Sequence, residues 1–317
     1  MSAIQVPGVG HDADAHPFPA AASDIVDVRP AESTQVVGVS GRTAAVVWIL
    51  VTVSALSVWG FTYGRVLGAV QEHRSQHELA ATLREQLANG TVPVGGRIPV
   101  GRPVAVLQAP SVGIASAVIV EGTAPSTLEL GAGHRRDTAL PGQPGVSVLM
   151  GRSVLFGAPF ANVTRLRHGT ALTVVTGQGT FHYRVEGVRR AGDPLPNALG
   201  PGEGRVTLVT SQGSGGLLGG WARRTVYVDA RLTGTAQPPG GAAVRSVRQS
   251  ETAMAGDQRA LMPLVVWLLL TTLTIAAAAW SNAHWGLRQT LLVAVPVLVA
   301  CAWVVTQTAA RLLPNLL

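Results

Sequence analysis

The chain has 317 residues, of which 47% are hydrophobic and only 13% are charged, a balance that favours a membrane-attached protein over a soluble one. Its net charge is +7, but the 24 basic residues are all arginines and lie scattered, so nucleic-acid binding is disfavoured and anionic lipid is the better partner. The single cysteine, Cys301, excludes an intrachain disulfide and a cysteine-based metal site, and no cofactor is expected.

The N-terminal part predicts a tail, a membrane helix and a stalk. Residues 1–43 are rich in proline, alanine and acids without hydrophobic periodicity, which is typical of disorder. Residues 44–63 carry no charge and can cross about 30 Å of hydrocarbon as a helix. Residues 64–92 place leucines at every fourth position, which indicates a juxtamembrane helical stalk that ends at Asn89-Gly90.

The central part, residues 93–235, predicts a mainly β domain with short helices. Seven short β-rich runs are separated by glycine and proline, a spacing typical of a closed barrel or a sandwich. The predicted strands are Pro103–Leu107, Ser116–Val120, Val146–Met150, Leu172–Thr176, Thr180–Val188, Arg205–Thr210 and Thr225–Leu232. Two short helices are predicted at Pro125–Leu130 and Ala158–Leu166.

The C-terminal part predicts two more membrane helices. Residues 236–258 are rich in glycine, proline and serine and indicate a flexible linker. Residues 261–280 and 290–310 are two further apolar runs of spanning length, which gives three transmembrane helices in all. Arginine counts beside the spans are too even to set their orientation, and the absence of acids in the last two disfavours an ion pathway.

A serine follows the most strand-like run of the domain. Arg205–Thr210 leads directly to Ser211, and a glycine-rich stretch, Gly213–Gly220, comes next. A rigid strand that fixes a hydroxyl beside an open loop is a common way to place a nucleophile. Ser211 is therefore the candidate nucleophile.

Three segments of this domain resemble a known family. Gly131–Gly145 is similar to a G-P-G-H…T-A-L-P-G-Q motif, Met150–Phe160 to A-G-H-R-T-T-x-G-A-P-F, and Thr207–Ser211 to T-L-x-T-C. All three motifs, in this order, belong to actinobacterial sortases of the housekeeping type, class E. The resemblance covers about residues 90–235 and implies a closed sortase-like barrel on the outer side of the cell membrane of a multi-pass protein.

The resemblance also implies site residues. In the family a cysteine thiolate attacks the threonine carbonyl of an L-P-x-T-G-like sorting signal, a histidine moves the protons and an arginine supports the charge. The cysteine position falls on Ser211, the histidine position on Arg152, and the arginine position on Arg224, or on Arg223 if the loop shifts by one. A hydroxyl needs a base, and a guanidinium does not accept a proton.

Two functions therefore stay open at this stage. The first is a catalytically degenerate, sortase-like protein that binds a sorting-signal peptide or an envelope protein. The second is an active acyl hydrolase or transpeptidase that uses Ser211 with another base. His134 is the best candidate for that base, His182 is the second, and Asp229 could orient a partner. The sequence leaves the oligomeric state open.

Overall fold

The computed structural model describes residues 58–60, 62–213, 222–242, 244, 246–285 and 287–317. The predicted tail, residues 1–43, and most of the predicted first span, residues 44–63, lie outside this part of the chain, as does most of the glycine-rich stretch after Ser211. Within the described ranges the chain forms eight strands and three long helices.

The eight strands close into a barrel in the order β1-β2-β3-β4-β7-β8-β6-β5. Neighbours are antiparallel except β2 with β3 and β4 with β7, which are parallel, and β1 closes the barrel against β5. The strands are β1 (Pro103–Ala109), β2 (Ile114–Glu121), β3 (Ala132–His134), β4 (Gly145–Met150), β5 (Ala171–Thr176), β6 (Gly179–Arg190), β7 (Gly204–Gly213) and β8 (Ala222–Leu232). The expected mainly β closed barrel is confirmed.

Two local expectations were wrong. The sequence predicted seven strands, but β3 is an eighth, and its three residues, Ala-Gly-His, have little β-propensity of their own. The helix predicted at Pro125–Leu130 is a series of turns, and only Val163–Arg165, a single 3₁₀ turn, is helical within Ala158–Leu166. These short segments take their shape from the barrel that they connect.

The barrel interior is filled by apolar side chains. Strand β6 shows the alternation of a half-buried strand, since Phe181, Tyr183 and Val185 face the core while the residues between them are exposed or partly exposed. Strand β7 is different, because its first eight residues are all buried. The strand that carries Ser211 is therefore covered on both faces and held by β4 and β8.

The predicted stalk is a helix that packs on the barrel. A π-helical turn, Tyr63–Leu67, leads into α1 (Gly68–Ala88), and Asn89 caps its end. The amide of Gln76 bonds to both the backbone N–H (2.8 Å) and the backbone carbonyl (3.2 Å) of Val118 in β2. Leu83 is buried in a cluster with Val118 and Leu79 packs against that cluster, whereas Leu87 is exposed, so only the first part of the leucine stripe faces the barrel.

Two long apolar helices follow the barrel. They are α2 (Leu261–Trp285) and α3 (Leu287–Ala310), and both are long and apolar enough to cross a membrane. They pack as a hairpin, with Ser281 Oγ 3.1 Å from Thr290 Oγ1 at one end. The turn is shorter than expected, because α2 continues beyond residue 280 to Trp285 and α3 begins before residue 290.

The segment expected to be a flexible linker contacts the barrel at several points. Gln237 donates its backbone N–H to Gly142 O at 2.8 Å. Glu251 is buried and forms a two-bond ion pair with Arg136, at 2.6 and 2.9 Å. Its own backbone carbonyl accepts from Thr123 Oγ1 at 2.6 Å. Ala253 and Met254 of the same segment pack against the apolar cluster that contains Val209 of β7.

Candidate functional site

Ser211 lies near the end of β7, directly opposite Thr225 of β8. On the other side, β4 pairs with β7 as far as Val209, and Thr210 Oγ1 extends the contact by a 3.0 Å bond to Gly151 O. Ser211 is 3% exposed. The strand therefore fixes the serine in a buried position.

The Ser211 hydroxyl bonds to a carbonyl and to a second hydroxyl. Its Oγ donates to Leu316 O at 2.6 Å and lies 2.6 Å from Ser153 Oγ. The same Leu316 carbonyl accepts from Ser153 N at 3.1 Å, and Ser153 Oγ is also 3.1 Å away. One backbone N–H and two hydroxyls thus surround a single carbonyl oxygen.

Residues 313–317, Leu-Pro-Asn-Leu-Leu, fill the site. They turn tightly, since Leu317 N donates to Pro314 O at 3.1 Å. Asn315 is fully buried, and its backbone N–H bonds to Ala255 O at 2.9 Å. Leu316 is also fully buried and packs in one cluster with the side chains of Leu128, Met150 and Val209.

We call the surface that holds residues 313–317 the Ser211 groove. One wall of the groove belongs to the barrel, and the other belongs to the stretch that follows the barrel in the chain. The Asn315 side-chain amide donates to a carbonyl on each wall, both at 2.9 Å. The groove is formed by Thr123, Ser153 and Ser211 of the barrel and by Thr252 and Ala255 of the following segment.

Arg152 lies beside the groove but points elsewhere. Its side chain is fully buried, and Nη2 donates to Pro125 O at 3.0 Å. The guanidinium stacks over Phe156, 4.6 Å from the ring centroid. Burial lowers the pKa of Arg152 to about 10, and the charge of Glu129 opposes that shift. Arg152 is therefore protonated at neutral pH and is not a base.

Glu129 forms an acidic centre between two arginines. Its carboxylate is buried, and Arg311 Nε lies 3.8 Å from Oε1. Burial raises the pKa of Glu129, while the charges of Arg152 and Arg311 lower it. Arg311 lies two residues before the segment in the groove and follows α3 directly, so this cluster joins the position of Arg152 to the end of α3.

Arg224 and Ser211 lie on different faces of the sheet. Arg224 pairs with Gln212, whereas Ser211 pairs with Thr225. Neighbouring residues of a strand point to opposite faces, and Arg224 and Gln212 are exposed while Ser211 and Thr225 are buried. Arg224 therefore faces solvent. The side chain of Arg223, the other candidate, lies outside the described part of the structure.

His134 is not brought to Ser211. His134, Leu149 and Leu208 lie side by side on β3, β4 and β7, and Ser211 is three residues further along. With about 4.8 Å between strands and about 3.3 Å per residue, the two Cα atoms are roughly 14 Å apart. Both ring nitrogens also have partners, Nδ1 with Glu121 Oε2 and Nε2 with Ala139 O, each at 2.9 Å.

His182 and Asp229 take part in the barrel itself. His182 is an exposed residue of β6 whose Nδ1 lies 3.3 Å from Thr173 Oγ1. Asp229 is buried, binds Arg189 Nε at 2.6 Å and accepts from Thr207 Oγ1 at 2.7 Å. Neither forms a hydrogen bond with Ser211.

Three residues of the site were not found from the sequence. Ser153, Asn315 and Leu316 make most of the polar contacts around Ser211, yet Asn315 and Leu316 are more than a hundred residues away along the chain. The available signal was the Leu313-Pro314 pair beyond the last apolar run. In the described part of the chain no cluster of His, Cys, Asp or Glu side chains is suited to hold a metal.

The arrangement places several hydrogen-bond donors around one peptide carbonyl. Several donors around one carbonyl oxygen can polarise it. Attack by Ser211 would also require a group that accepts its proton, and its hydrogen-bonding partners are a hydroxyl and a carbonyl.

Comparisons with solved structures retrieve sortases. The chain is similar to a Clostridium perfringens sortase D5 transpeptidase, with 21% identity over 52% of this chain and 99% of that one and a TM-score of 0.41. It is similar to sortase E from Streptomyces avermitilis, with 27% identity over 44% of this chain and 93% of that one and a TM-score of 0.36. No curated protein matches the chain. The family model of the Sortase domain matches residues 107–230, so the barrel, from β1 to β8, matches a Sortase domain.

Proposed function

We propose that this protein is a membrane-anchored, extracytoplasmic, sortase-like protein that binds a sorting-signal peptide or an envelope protein without catalysing transpeptidation. The Ser211 environment carries the proposal. Its hydroxyl bonds to Leu316 O and lies against Ser153 Oγ, and neither group is a base. Arg152 stands where the resemblance expects the histidine, and its guanidinium is turned to Pro125 and Phe156.

The membrane attachment in this proposal rests on α2 and α3. Both helices are long and apolar enough to span a bilayer, and most of their large apolar side chains are exposed on the protein surface. An exposed apolar surface of this extent is expected to face lipid. The basic net charge, +7, would add attraction to anionic headgroups.

The test is a cleavage assay on the full chain in detergent micelles or nanodiscs. A fluorogenic Leu-Pro-x-Thr-Gly peptide is incubated with the wild type and with a chain that ends at Leu312, so that an occupied groove cannot hide an activity. We expect neither to cleave it. In the chain that ends at Leu312, the double variant Arg152→His with Ser211→Cys restores the residue types of the family and is expected to gain cleavage, which would indicate an intact groove.

Cleavage by the chain that ends at Leu312 would overturn the proposal. The alternative is then an acyl hydrolase or transpeptidase that uses Ser211, and a fluorophosphonate probe would identify it. Labelling that disappears in Ser211→Ala, but not in Ser153→Ala, would assign the nucleophile.

A further inference from the structure

Residues 313–317 contact the Ser211 groove in the way that a peptide ligand does. Their backbone carbonyl at Leu316 takes the donors of Ser153 and Ser211, and their backbone N–H at Asn315 bonds to Ala255 O. Leu155 N also donates to Leu317 O at 3.4 Å. A bound peptide typically forms main-chain hydrogen bonds and buries alternate or neighbouring side chains in pockets, as Asn315 and Leu316 are buried here.

The groove holds Asn315 by its amide. Nδ2 donates to Thr123 O and to Thr252 O, each at 2.9 Å, and the side chain is fully buried. Two carbonyl oxygens that face one side chain require a donor there. An aspartate at this position would place a carboxylate against them, with no hydrogen to share and a large cost of burial. The third residue of the segment is therefore selected for an amide.

The groove holds Leu316 by an apolar pocket. The side chain is fully buried in the cluster with Leu128, Met150 and Val209, while its carbonyl is directed to Ser153 and Ser211. The residue that presents its carbonyl to the serines is thus also the residue whose side chain fills the pocket. A charged side chain could not take its place.

The order of residues in the segment determines which carbonyl reaches the serines. Leu313-Pro314 begins the segment, and the fourth residue, Leu316, presents its carbonyl to Ser211. Leucine at this fourth position fits the apolar pocket around it.

We infer that residues 313–317 are a tethered ligand of the Ser211 groove, and that the free ligand of this groove is a peptide of the same pattern: Leu-Pro, then an amide residue, then a bulky apolar residue. The inference rests on the proposed function. It adds the class of peptide that the groove binds and identifies residues 313–317 as the segment that competes with that peptide. A free peptide binds only when the segment leaves.

The tether lowers the affinity for a free peptide by a predictable factor. A segment joined by a short connection acts at an effective concentration on the order of 1 mM. If the free peptide binds the empty groove with a dissociation constant of about 10–100 µM, the occupied groove binds it roughly 10- to 100-fold more weakly. The segment would outcompete peptides that bind weakly, whereas peptides that bind tightly or are locally concentrated would displace it.

The first experiment measures binding of fluorescein-labelled Leu-Pro-Asn-Leu-Leu amide to the full chain by fluorescence polarisation. Leu316→Asp, which expels the segment from the apolar pocket, and the chain that ends at Leu312 are both expected to bind roughly 10- to 100-fold more tightly than the wild type. Leu195→Asp, at a leucine that is 80% exposed, is the matched control and should bind like the wild type. A Leu-Pro-Asp-Leu-Leu probe should bind each protein at least about tenfold more weakly.

The second experiment measures whether the segment occupies the groove. In a Cys301→Ala background, the thiol of Leu317→Cys is expected to react with maleimide far more slowly than that of Leu195→Cys, because Leu317 is 5% exposed. Excess unlabelled Leu-Pro-Asn-Leu-Leu amide should raise the Leu317→Cys rate and leave the Leu195→Cys rate unchanged.

The outcomes separate the two proposals. If Leu317→Cys reacts rapidly with maleimide in a chain that binds the peptide, the segment does not occupy the groove. That result overturns the tethered-ligand inference and leaves the proposed function standing. If Leu317→Cys reacts slowly and the chain that ends at Leu312 cleaves the sorting-signal peptide, the proposed lack of catalysis is overturned. The tethered-ligand inference then still holds. A protected thiol with no peptide binding by either released chain overturns the ligand assignment, and the segment is then a structural brace.

Discussion

Ser211, Arg152 and His134 are all buried, and each forms hydrogen bonds to groups other than the other two, although Arg152 does so only through Nη2. Ser211 bonds to the 313–317 segment, Arg152 to Pro125 O, and His134 to Glu121 and Ala139. A buried polar group without a partner is costly, so these contacts stabilise the fold. They also direct the three side chains to separate partners, so none of the three bonds to another.

Glu72 on α1 gives a pH-dependent prediction at the same scale. Burial raises its pKa from 4.5 to about 7, so the folded protein holds a proton that the unfolded chain releases. The stabilising effect of that proton is complete below pH 4.5 and is lost as the pH rises to about 7. Glu72→Gln should match the wild type in free energy of unfolding at low pH. Above pH 7 it should exceed the wild type by on the order of 1 kcal/mol after allowance for solvent screening, and melt at a correspondingly higher temperature.

Thermal melts between pH 4 and pH 8.5, roughly the range over which a carboxyl with this shift titrates, provide the measurement. Glu78→Gln is the control, because Glu78 is an exposed partner of Arg74 on the same helix and should give no comparable rise. If the difference in melting temperature between Glu72→Gln and the wild type stays constant across this pH range, the raised pKa of Glu72 is contradicted.

Strand β3 shows how elements of this fold depend on their neighbours. Its three residues pair in parallel with β2 on one side and antiparallel with β4 on the other. Gly133 allows a close backbone approach, since a Cβ there would collide with Gly122 O, and Gly122 N bonds to His134 O at 2.8 Å. The strand is short because it only has to bridge two longer ones.

Gly133→Ala should therefore destabilise the barrel by at least about 2 kcal/mol, because backbone and not a flexible side chain must move. Gly187→Ala on β6 is the matched control, since a Cβ there has open space. Urea unfolding followed by circular dichroism at a wavelength that reports β-structure gives both free energies of unfolding. Equal values for the two variants would contradict the close approach at Gly133.

The sequence predicted the elements whose own residues determine them. Seven β-rich runs, the end of α1 near Asn89 and the last two apolar helices follow from local patterns. Strand β3 and the turns at 125–130 did not, because they are short and are set by contacts with distant strands. Likewise Ser211 could be placed at a strand end, but its contact with Leu316 spans 105 residues and no local pattern encodes it.

The described part of the molecule is joined into one assembly by contacts at the barrel ends of α2 and α3. Asp257 N donates to Arg311 O at 2.9 Å, which ties the start of the hairpin to its end. Ala310 packs with Phe156 of the barrel. A helix of about 25 residues is roughly 37 Å long, so the far end of the hairpin, where α2 ends and α3 begins, lies about a membrane thickness from the barrel.

This arrangement predicts the membrane topology. In a Cys301→Ala background, a membrane-impermeant maleimide should label Leu195→Cys in intact cells, because that residue is exposed on the barrel. Arg288→Cys, an exposed position at the hairpin turn, should be labelled only after the membrane is permeabilised. Labelling of Arg288→Cys in intact cells, with Leu195→Cys protected, would reverse the proposed orientation.

The short connection between α3 and the Ser211 groove has a consequence for how any ligand arrives. Five residue steps separate Arg311 from Leu316, and a fully extended chain covers at most about 17 Å in that distance. If α3 spans the bilayer, the groove sits close above the lipid headgroups. A peptide carried on its own membrane helix would then meet it by lateral diffusion in the plane of the bilayer. Vesicle-anchored peptides should lose binding as the spacer between lipid and peptide is lengthened beyond that height.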